Sequence, residues 1–151
     1  MMVPNSTTNI STELNEEIVE KTFRDFSTAL RNWENWFYTH KRENRNANNS
    51  TPNADGRARA ELLAIFSTYV TEKGRNYDRL ENLVCSMHPE YEFEEESIRL
   101  EISSKKTASL VYKKKHGLRQ TYRLTFSIKD NTCRIQKREF QDNEKWRTTY
   151  I

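Results

Sequence analysis

Apolar residues in the first third of the chain recur at steps of three or four positions and predict a long amphipathic helix. The members of this stripe are Leu14, Ile18, Phe23, Phe26, Leu30, Trp33 and Phe37. Such spacing places all of them on one face of a helix. Ser11 or Thr12 is a suitable N-cap, and the negative charge of Glu13 interacts favourably with the positive end of the helix dipole. We expect this helix to end near Asn44.

A second helix is predicted over residues 57–73, after an Asn-rich segment that should form a polar loop at about residues 44–56. Ala58, Leu62, Phe66 and Tyr69 lie on its inner face at helical spacing. Gly74 is a natural stop, because glycine readily adopts the left-handed conformation found just after helices. Residues 1–12 are rich in Asn, Ser and Thr, and we expect a disordered tail there, followed by a single domain over residues 13–151.

After Asn76 the apolar pattern changes to a period of two, which is typical of strands. Leu83–Met87 predicts a short strand that Pro89 stops. Four further segments alternate apolar and polar positions, at residues 98–102, 108–112, 118–128 and about 132–140. Leu118 begins the inward-facing positions of the third. The turns between these four segments are short, which favours antiparallel neighbours. The predicted fold class is therefore α+β, with N-terminal helices covering the apolar face of a curved antiparallel sheet.

Composition and charge agree with one small folded domain whose two halves carry opposite charge. Residues 105–151 contain 13 basic and 4 acidic side chains, a net charge of +9, whereas residues 1–104 carry −6. The two halves either form a polarised molecule that steers charged partners or complement each other within the fold. The chain shows neither an apolar run of about 18 residues nor a signal-like start. Cys85 and Cys133 are expected to be free thiols, so we predict a cytoplasmic protein without membrane contact.

Several short segments carry a family resemblance. They are the aromatic segment Trp33–Tyr38, the second-helix segment Phe66–Lys73, the Pro-Glu-Tyr step Pro89–Tyr91, and the closing segments Tyr122–Phe126, Ile135–Phe140 and Asp142–Trp146. Together with the order of elements, they resemble bacterial immunity proteins with the cone-shaped fold of the nuclear transport factor 2 superfamily. The resemblance implies a non-enzymatic protein that binds and neutralises a cognate toxin of a polymorphic toxin system. The cone fold is also compatible with a homodimer formed through the open face of the sheet.

An acidic segment that precedes the four alternating segments is the predicted partner surface. Nuclease toxins are typically basic where they bind nucleic acid, so an acidic strip with aromatic rings would mimic their substrate. Complementary charge would accelerate association, and Tyr91 or Phe93 would anchor the centre of the interface. The same residues are also compatible with a surface connection that is merely acidic. The predicted contact residues are Glu90, Tyr91, Glu92, Phe93, Glu94 and Glu95.

Small-molecule binding or acid–base catalysis inside the cone, of the isomerase or dehydratase type, is the alternative function. Such a site needs a carboxylate or histidine that faces an apolar cavity, with a hydrogen-bond donor opposite. Tyr122 lies on the apolar face of its strand, and Glu139 shares the parity of Ile135, so it would point inward if no bulge intervenes. Trp33 and Trp36 are further cavity candidates, although rings on a helix stripe more often fill a core.

Other chemistry has little support in the sequence. His40, His88 and His116 fall on separate elements without the ligand spacing of a zinc site, so we expect no metal. The three glycines form no phosphate-binding loop, and we expect no cofactor and no enzymatic activity. A basic stripe on the last strands would attract phosphate, but the residues between its members are Ser and Thr rather than stacking rings, which disfavours nucleic-acid binding. The stripe comprises Lys113, Arg119, Arg123, Arg134 and Arg138.

Overall fold

Two long helices precede a five-stranded antiparallel sheet in the computed structural model of the protein, which describes residues 5–46 and 52–151, with side chains over residues 12–43 and 55–151. Helix α1 spans Asn5–Asn46 and helix α2 spans Pro52–Tyr69. The strands are β1 Arg99–Ser104, β2 Thr107–Lys113, β3 Thr121–Lys129, β4 Thr132–Asp142 and β5 Lys145–Thr149. Short 3-10 helices lie at Asp78–Leu80 and Glu95–Ser97. The predicted α+β class is confirmed.

Both helices begin earlier than the sequence predicted. Helix α1 starts at Asn5, inside the segment that we expected to be a tail, and residues 1–4 and 47–51 lie outside the described residues. Helix α2 starts at Pro52, where a proline costs no hydrogen bond because the first helical N–H groups have no partner within the helix. The negative charge of Asp55, in the first turn, interacts favourably with the positive end of the helix dipole. Residues 44–46 and 52–56 of the predicted loop therefore belong to helices.

The strands form a meander in the order β1-β2-β3-β4-β5, and each strand pairs antiparallel with the next. Helix α1 contacts β1 and β4, and helix α2 contacts α1 and β4, so both helices cover one face of the sheet. We call this the inner face and the opposite one the outer face. Alternate residues of β2 and β3 are buried on the inner face, as the period of two predicted. They are Ala108, Leu110, Tyr112, Tyr122, Leu124, Phe126 and Ile128.

Three sequence predictions about strands were wrong. Leu83–Met87 is irregular, and the carbonyl of Val84 accepts a hydrogen bond from Arg79 rather than from a neighbouring strand. Residues 145–149 form the unpredicted strand β5. Leu118 lies in the β2–β3 turn instead of on the inner face, because the flanking Gly117 and Arg119 have positive φ angles of 72° and 51° that interrupt the strand alternation.

A β-bulge in β4 changes which of its side chains reach the inner face. Thr125 of β3 pairs with Lys137, but the next residue, Phe126, pairs with Ile135. Gln136 is therefore the extra residue, because β4 advances by two residues where β3 advances by one. Because side chains of a strand alternate in direction, one extra residue reverses the direction of every side chain beyond it.

The reversal places Arg138 inside and Glu139 outside. Before the bulge, Cys133 and Ile135 point to the inner face and are buried. Beyond it, Arg138 pairs with the inward-facing Leu124 of β3, and Glu139 pairs with an outer-face residue. The inward orientation predicted for Glu139 depended on the absence of a bulge, and a bulge is present.

The bulge is held by the segment that follows α2. Val70 forms a parallel bridge with Ile135, and the Thr71 N–H donates to the Ile135 carbonyl at 2.9 Å. The buried Asn76 amide donates to the carbonyls of Thr71 and Gln136, each at 2.9 Å. This segment covers an edge of β4 that β5 does not reach, and so satisfies its backbone groups.

Replacing Asn76 with alanine should lower the free energy of unfolding by about 1–3 kcal/mol, since buried carbonyl groups lose their donor. Urea denaturation measures the change. Asn82→Ala is the matched control, because Asn82 is exposed in the following loop and should change stability by less than about 0.5 kcal/mol. Equal effects of the two substitutions would show that Asn76 does not hold the bulge.

Candidate functional site

A buried guanidinium lies at the centre of the inner face. Arg138 is 1% exposed, and its Nη2 donates to Oε1 of Glu90 at 2.9 Å. Its guanidinium carbon lies 3.8 Å from the ring centre of Tyr122 and 4.8 Å from that of Tyr91. The carboxylate and the faces of the two rings compensate a positive charge that has been removed from water.

Glu90 is held through both its carboxylate and its backbone. Lys114 donates through Nζ to Oε2 of Glu90 at 2.9 Å, so each carboxylate oxygen receives one cation. The Glu90 N–H donates to Oε2 of Glu34 in α1 at 2.7 Å. Burial alone would raise the pKa of Glu90, but Arg138 and Lys114 hold it at about 2. Glu90 is therefore ionised at neutral pH and fixed in position.

Glu34 connects this cluster to a second buried cation. Nη2 of Arg79 donates to Oε1 of Glu34, and both side chains are buried. The Arg79 guanidinium carbon lies 5.3 Å from the ring centre of Trp33. Burial raises the pKa of Glu34 although Arg79 acts in the opposite direction. We call this set of five linked charges the ionic network; it comprises Arg79, Glu34, Glu90, Arg138 and Lys114.

Aromatic rings fill the space around Arg138. Tyr112 and Tyr91 are fully buried, and Tyr112 stacks on Tyr122 with ring centres 5.6 Å apart. Phe26 of α1 meets the Tyr91 ring edge-on at 5.0 Å. Burial raises the pKa of all three tyrosines, which stay neutral at physiological pH. The interior is thus occupied by side chains, while two surface concavities lie away from it, at residues 142–147 and 127–134.

The structure does not bring the four cavity candidates together. Tyr122 contacts Arg138, as described above. Trp33 is buried, and its Nε1 donates to the Ala58 carbonyl at 2.8 Å, which joins the two helices. Trp36 is half-buried on α1, with the Arg57 guanidinium carbon 4.5 Å from its ring centre. Both tryptophans therefore join helix to helix rather than line a cavity.

Glu139 lies on the outer face, so the prediction that it points into a cavity was wrong. Its Oε1 accepts hydrogen bonds from Nε and Nη2 of Arg123 at 3.0 and 2.9 Å. Lys137 lies 3.7 Å from the same oxygen, and Arg123 also packs over the ring of Trp146 at 4.4 Å. The physical reason is the bulge at Gln136, which reverses the direction of the side chains after it.

The predicted contact segment Glu90–Glu95 alternates between interior and surface. Tyr91 is fully buried and Phe93 is 9% exposed, so the prediction that these rings anchor a partner was wrong. The reason is that Phe93 forms an antiparallel bridge with Lys114, which extends the segment along the sheet and turns alternate side chains inward.

The remaining carboxylates of this segment are paired with basic side chains of the same chain. The pairs are Glu92 with His116, Glu94 with Arg119, and Glu95 with Arg24. The negative segment thus lies against the positive β2–β3 turn. This arrangement favours the second interpretation of the charge split, in which the two halves of the chain complement each other.

An exposed patch surrounds the turn between β2 and β3. Leu118 is 95% exposed, and Met87 is also largely exposed. The rings of His88 and His116 stack with their centres 4.1 Å apart, which brings the two segments together. Exposed apolar side chains among polar groups are typical of a partner-binding surface. We call this patch the turn surface; it comprises Met87, His88, Glu92, His116 and Leu118.

The sequence analysis did not identify Glu34 and Arg138 as buried charges, although the sequence contains an indication of each. Glu34 stands four residues after Leu30 and three before Phe37, which places a carboxylate inside the apolar helix stripe. In β4, the inward-facing Ile135 and the partly buried Phe140 have opposite parity, which requires an extra residue between them.

A helix pair that covers one face of a five-stranded antiparallel meander, with an interior filled by its own side chains, defines a compact α+β domain of the NTF2-like class. A family model described as "NTF2 fold immunity protein" matches residues 18–149, and the chain belongs to this family of immunity proteins. It is 28% identical over 138 residues to immunity protein RhsIA of Dickeya dadantii (strain 3937), which covers 89% of this chain and 96% of that protein. No solved structure matches the chain significantly. The fold and the immunity role implied by the sequence resemblance are confirmed.

Glu90 should make the stability of the protein sensitive to acid. Its pKa falls from an ordinary 4.5 to about 2 on folding. The stabilisation is therefore complete above about pH 4.5 and is lost as the pH falls towards 2. Glu90→Gln should lower the free energy of unfolding at pH 7 by about 3 kcal/mol and flatten its pH dependence over this range. Urea denaturation at a series of pH values measures both effects.

Glu101→Gln is the matched control for this comparison, because Glu101 is exposed on β1 and its substitution should leave the stability at pH 7 unchanged. The raised pKa of Glu34 changes stability only above about pH 4.5, outside the range in which Glu90 acts. If the Glu90→Gln profile ran parallel to that of the wild type, the paired state of Glu90 would be disproved.

Proposed function

We propose that this immunity protein binds its cognate toxin through the turn surface and that it acts without catalysis. Two features support the absence of catalysis. Glu139, the predicted acid–base residue, lies across the sheet from Tyr122 and is bonded to Arg123. Glu90, the carboxylate beside Tyr122, binds two cations and has a pKa of about 2, which makes it a poor general base at neutral pH.

The exposure of Leu118 is the main observation that supports the turn surface as the binding site. A leucine that is 95% exposed contributes no core packing, and covering it with a partner removes apolar area from water. Hot spots of interfaces are central side chains that enter a pocket and are surrounded by polar groups which exclude water. Leu118 projects from the turn beside charged side chains, so we infer that the toxin offers it an apolar pocket with a polar rim.

The acidic segment contributes fewer residues to the proposed binding surface than the sequence predicted. Glu92 is about one-third exposed and belongs to the turn surface, while Glu95 is the most exposed carboxylate of the segment. Both are already paired, with His116 and Arg24, so a toxin that binds them must compete with or extend these pairs. We therefore propose a surface of mixed charge in place of a purely acidic mimic.

Nucleic-acid binding is disfavoured by the positions of the predicted basic stripe. Arg138 is buried, Arg119 is paired with Glu94, and Arg123 is paired with Glu139. A phosphate backbone would have to replace these partners. The cationic surface left for nucleic acid is smaller than the sequence predicted.

We also propose that the protein acts in the cytoplasm. Cys85 and Cys133 are both free thiols, as expected in a reducing compartment, and burial raises the pKa of each. Of the helices in the described part of the chain, none has the length and apolarity that a membrane span requires.

Leu118→Asp should weaken binding to an inactivated form of the cognate toxin domain by at least about tenfold, because an ionised side chain would enter an apolar pocket. Isothermal titration calorimetry measures the affinity, and rescue of growth during toxin expression tests the consequence. Leu63→Asp is the matched control, since Leu63 is 46% exposed on α2 and should leave both readouts unchanged.

Full affinity of the Leu118→Asp protein would disprove the turn surface as the binding site. Absence of binding by the wild-type protein would show that the toxin domain used is not its cognate partner. Since Leu118 is almost fully exposed, the Leu118→Asp protein should retain the wild-type midpoint of thermal unfolding, which excludes misfolding as a cause.

A further inference from the structure

Two imidazole rings and a carboxylate meet at the turn surface, separate from the ionic network. The ligating atoms of His88, Glu92 and His116 all lie within 4.8 Å of one another. Nε2 of His116 is 2.7 Å from Oε1 of Glu92, and the two imidazole rings are 17° from parallel. We propose that these three side chains form a binding site for a divalent transition-metal ion, with Zn²⁺ as the preferred metal.

The backbone of the fold fixes the relative positions of Glu92 and His116. Tyr91 and Phe93 are buried on either side of Glu92, so the Glu92 side chain is directed away from the core. The N–H of Lys115, which precedes His116, donates to the Glu92 carbonyl at 2.9 Å. Two of the three ligands are therefore placed before the metal binds, which reduces the entropy lost on binding.

The donor set determines the class of metal. Two imidazole nitrogens and one carboxylate oxygen form the ligand set of zinc sites that keep a fourth position open. Ca²⁺ and Mg²⁺ prefer oxygen ligands, and imidazole favours zinc and its neighbours in the first transition row. His116 is distant in sequence from His88 and Glu92. The lack of zinc-type spacing between the histidines, which led us to expect no metal, therefore does not apply in the folded chain.

The distances require only side-chain movement. Ligands of a tetrahedral zinc ion lie about 3.3 Å apart, given bonds of about 2.0–2.1 Å, so atoms within 4.8 Å converge by rotation of the rings. His88 is exposed and lies in an irregular segment, which leaves its ring free to turn towards the metal. The side chains of His116 and Glu92 are 34% and 31% exposed, so the fourth position faces solvent.

Calorimetric titration of Zn²⁺ into the untagged full chain, freed of metal with a chelator, tests the proposal. We expect one ion per chain, and His88→Gln or His116→Gln should each weaken binding at least about tenfold. His40→Gln is the matched control, because His40 stacks on Trp36 in α1 and should leave binding unchanged. At a free concentration of about 100 times Kd, Zn²⁺ should also raise the Tm of the wild type by about 5 °C.

A second measurement on the wild type avoids any effect of substitution on folding. In side-chain NMR spectra of the three histidines, Zn²⁺ should shift the resonances of His88 and His116 and leave those of His40 unchanged. No binding, binding that His116→Gln does not weaken, or a shift of His40 alone would each overturn the proposal. The isolated protein is used throughout, so the outcome is independent of the proposed toxin surface.

Discussion

One fully buried positive charge, on Arg138, constrains the arrangement of the whole domain. Removing a guanidinium from water costs several kcal/mol unless other groups compensate it, and here Glu90 and the rings of Tyr122 and Tyr91 do so. Because Glu90 lies between the helices and the sheet in the chain, this ion pair fixes the connecting segment against β4. The backbone of Glu90 is bonded in turn to Glu34 of α1, which compensates Arg79. Each buried charge thus depends on an oppositely charged neighbour. These contacts fix the positions of α1, the connecting segment and the sheet relative to one another.

Features that depend on local periodicity could be predicted from the sequence, and those that depend on distant contacts could not. The stripe of α1 and the alternation of β2 and β3 are repeated over many residues, so the presence and type of each element were predicted correctly, although the starts of α1 and β3 were not. The bulge at Gln136 depends on Asn76 and on the residues after α2, about 60 positions away, and no local pattern specifies such a contact. The parity conflict between Ile135 and Phe140 was visible, but it indicates only that an irregularity exists and not where it lies.

The predicted site failed for a related reason. A run of glutamates indicates negative charge, but its partners are cations distant in sequence, such as Arg24 for Glu95. Only the fold reveals that the segment is neutralised within the molecule. Leu118 was misassigned because it continues the alternation of β3, although the preceding Gly117 was a visible sign of a turn. The structure therefore changes which side chains of this region are available to a partner.

The ionic network and the turn surface consist of different residues. Substitutions that alter binding specificity can therefore be separated from substitutions that alter folding. A change in Arg138 or Glu90 leaves a buried charge without compensation, so these positions are constrained by folding alone. A change in Leu118 or Met87 alters exposed side chains and affects stability by only about 0.5 kcal/mol. The proposed binding surface can therefore diverge in sequence while the interior is retained. This division of roles is compatible with the 28% identity to a relative matched over most of both chains. In this fold, the residues that are dispensable for folding are the ones available for recognition.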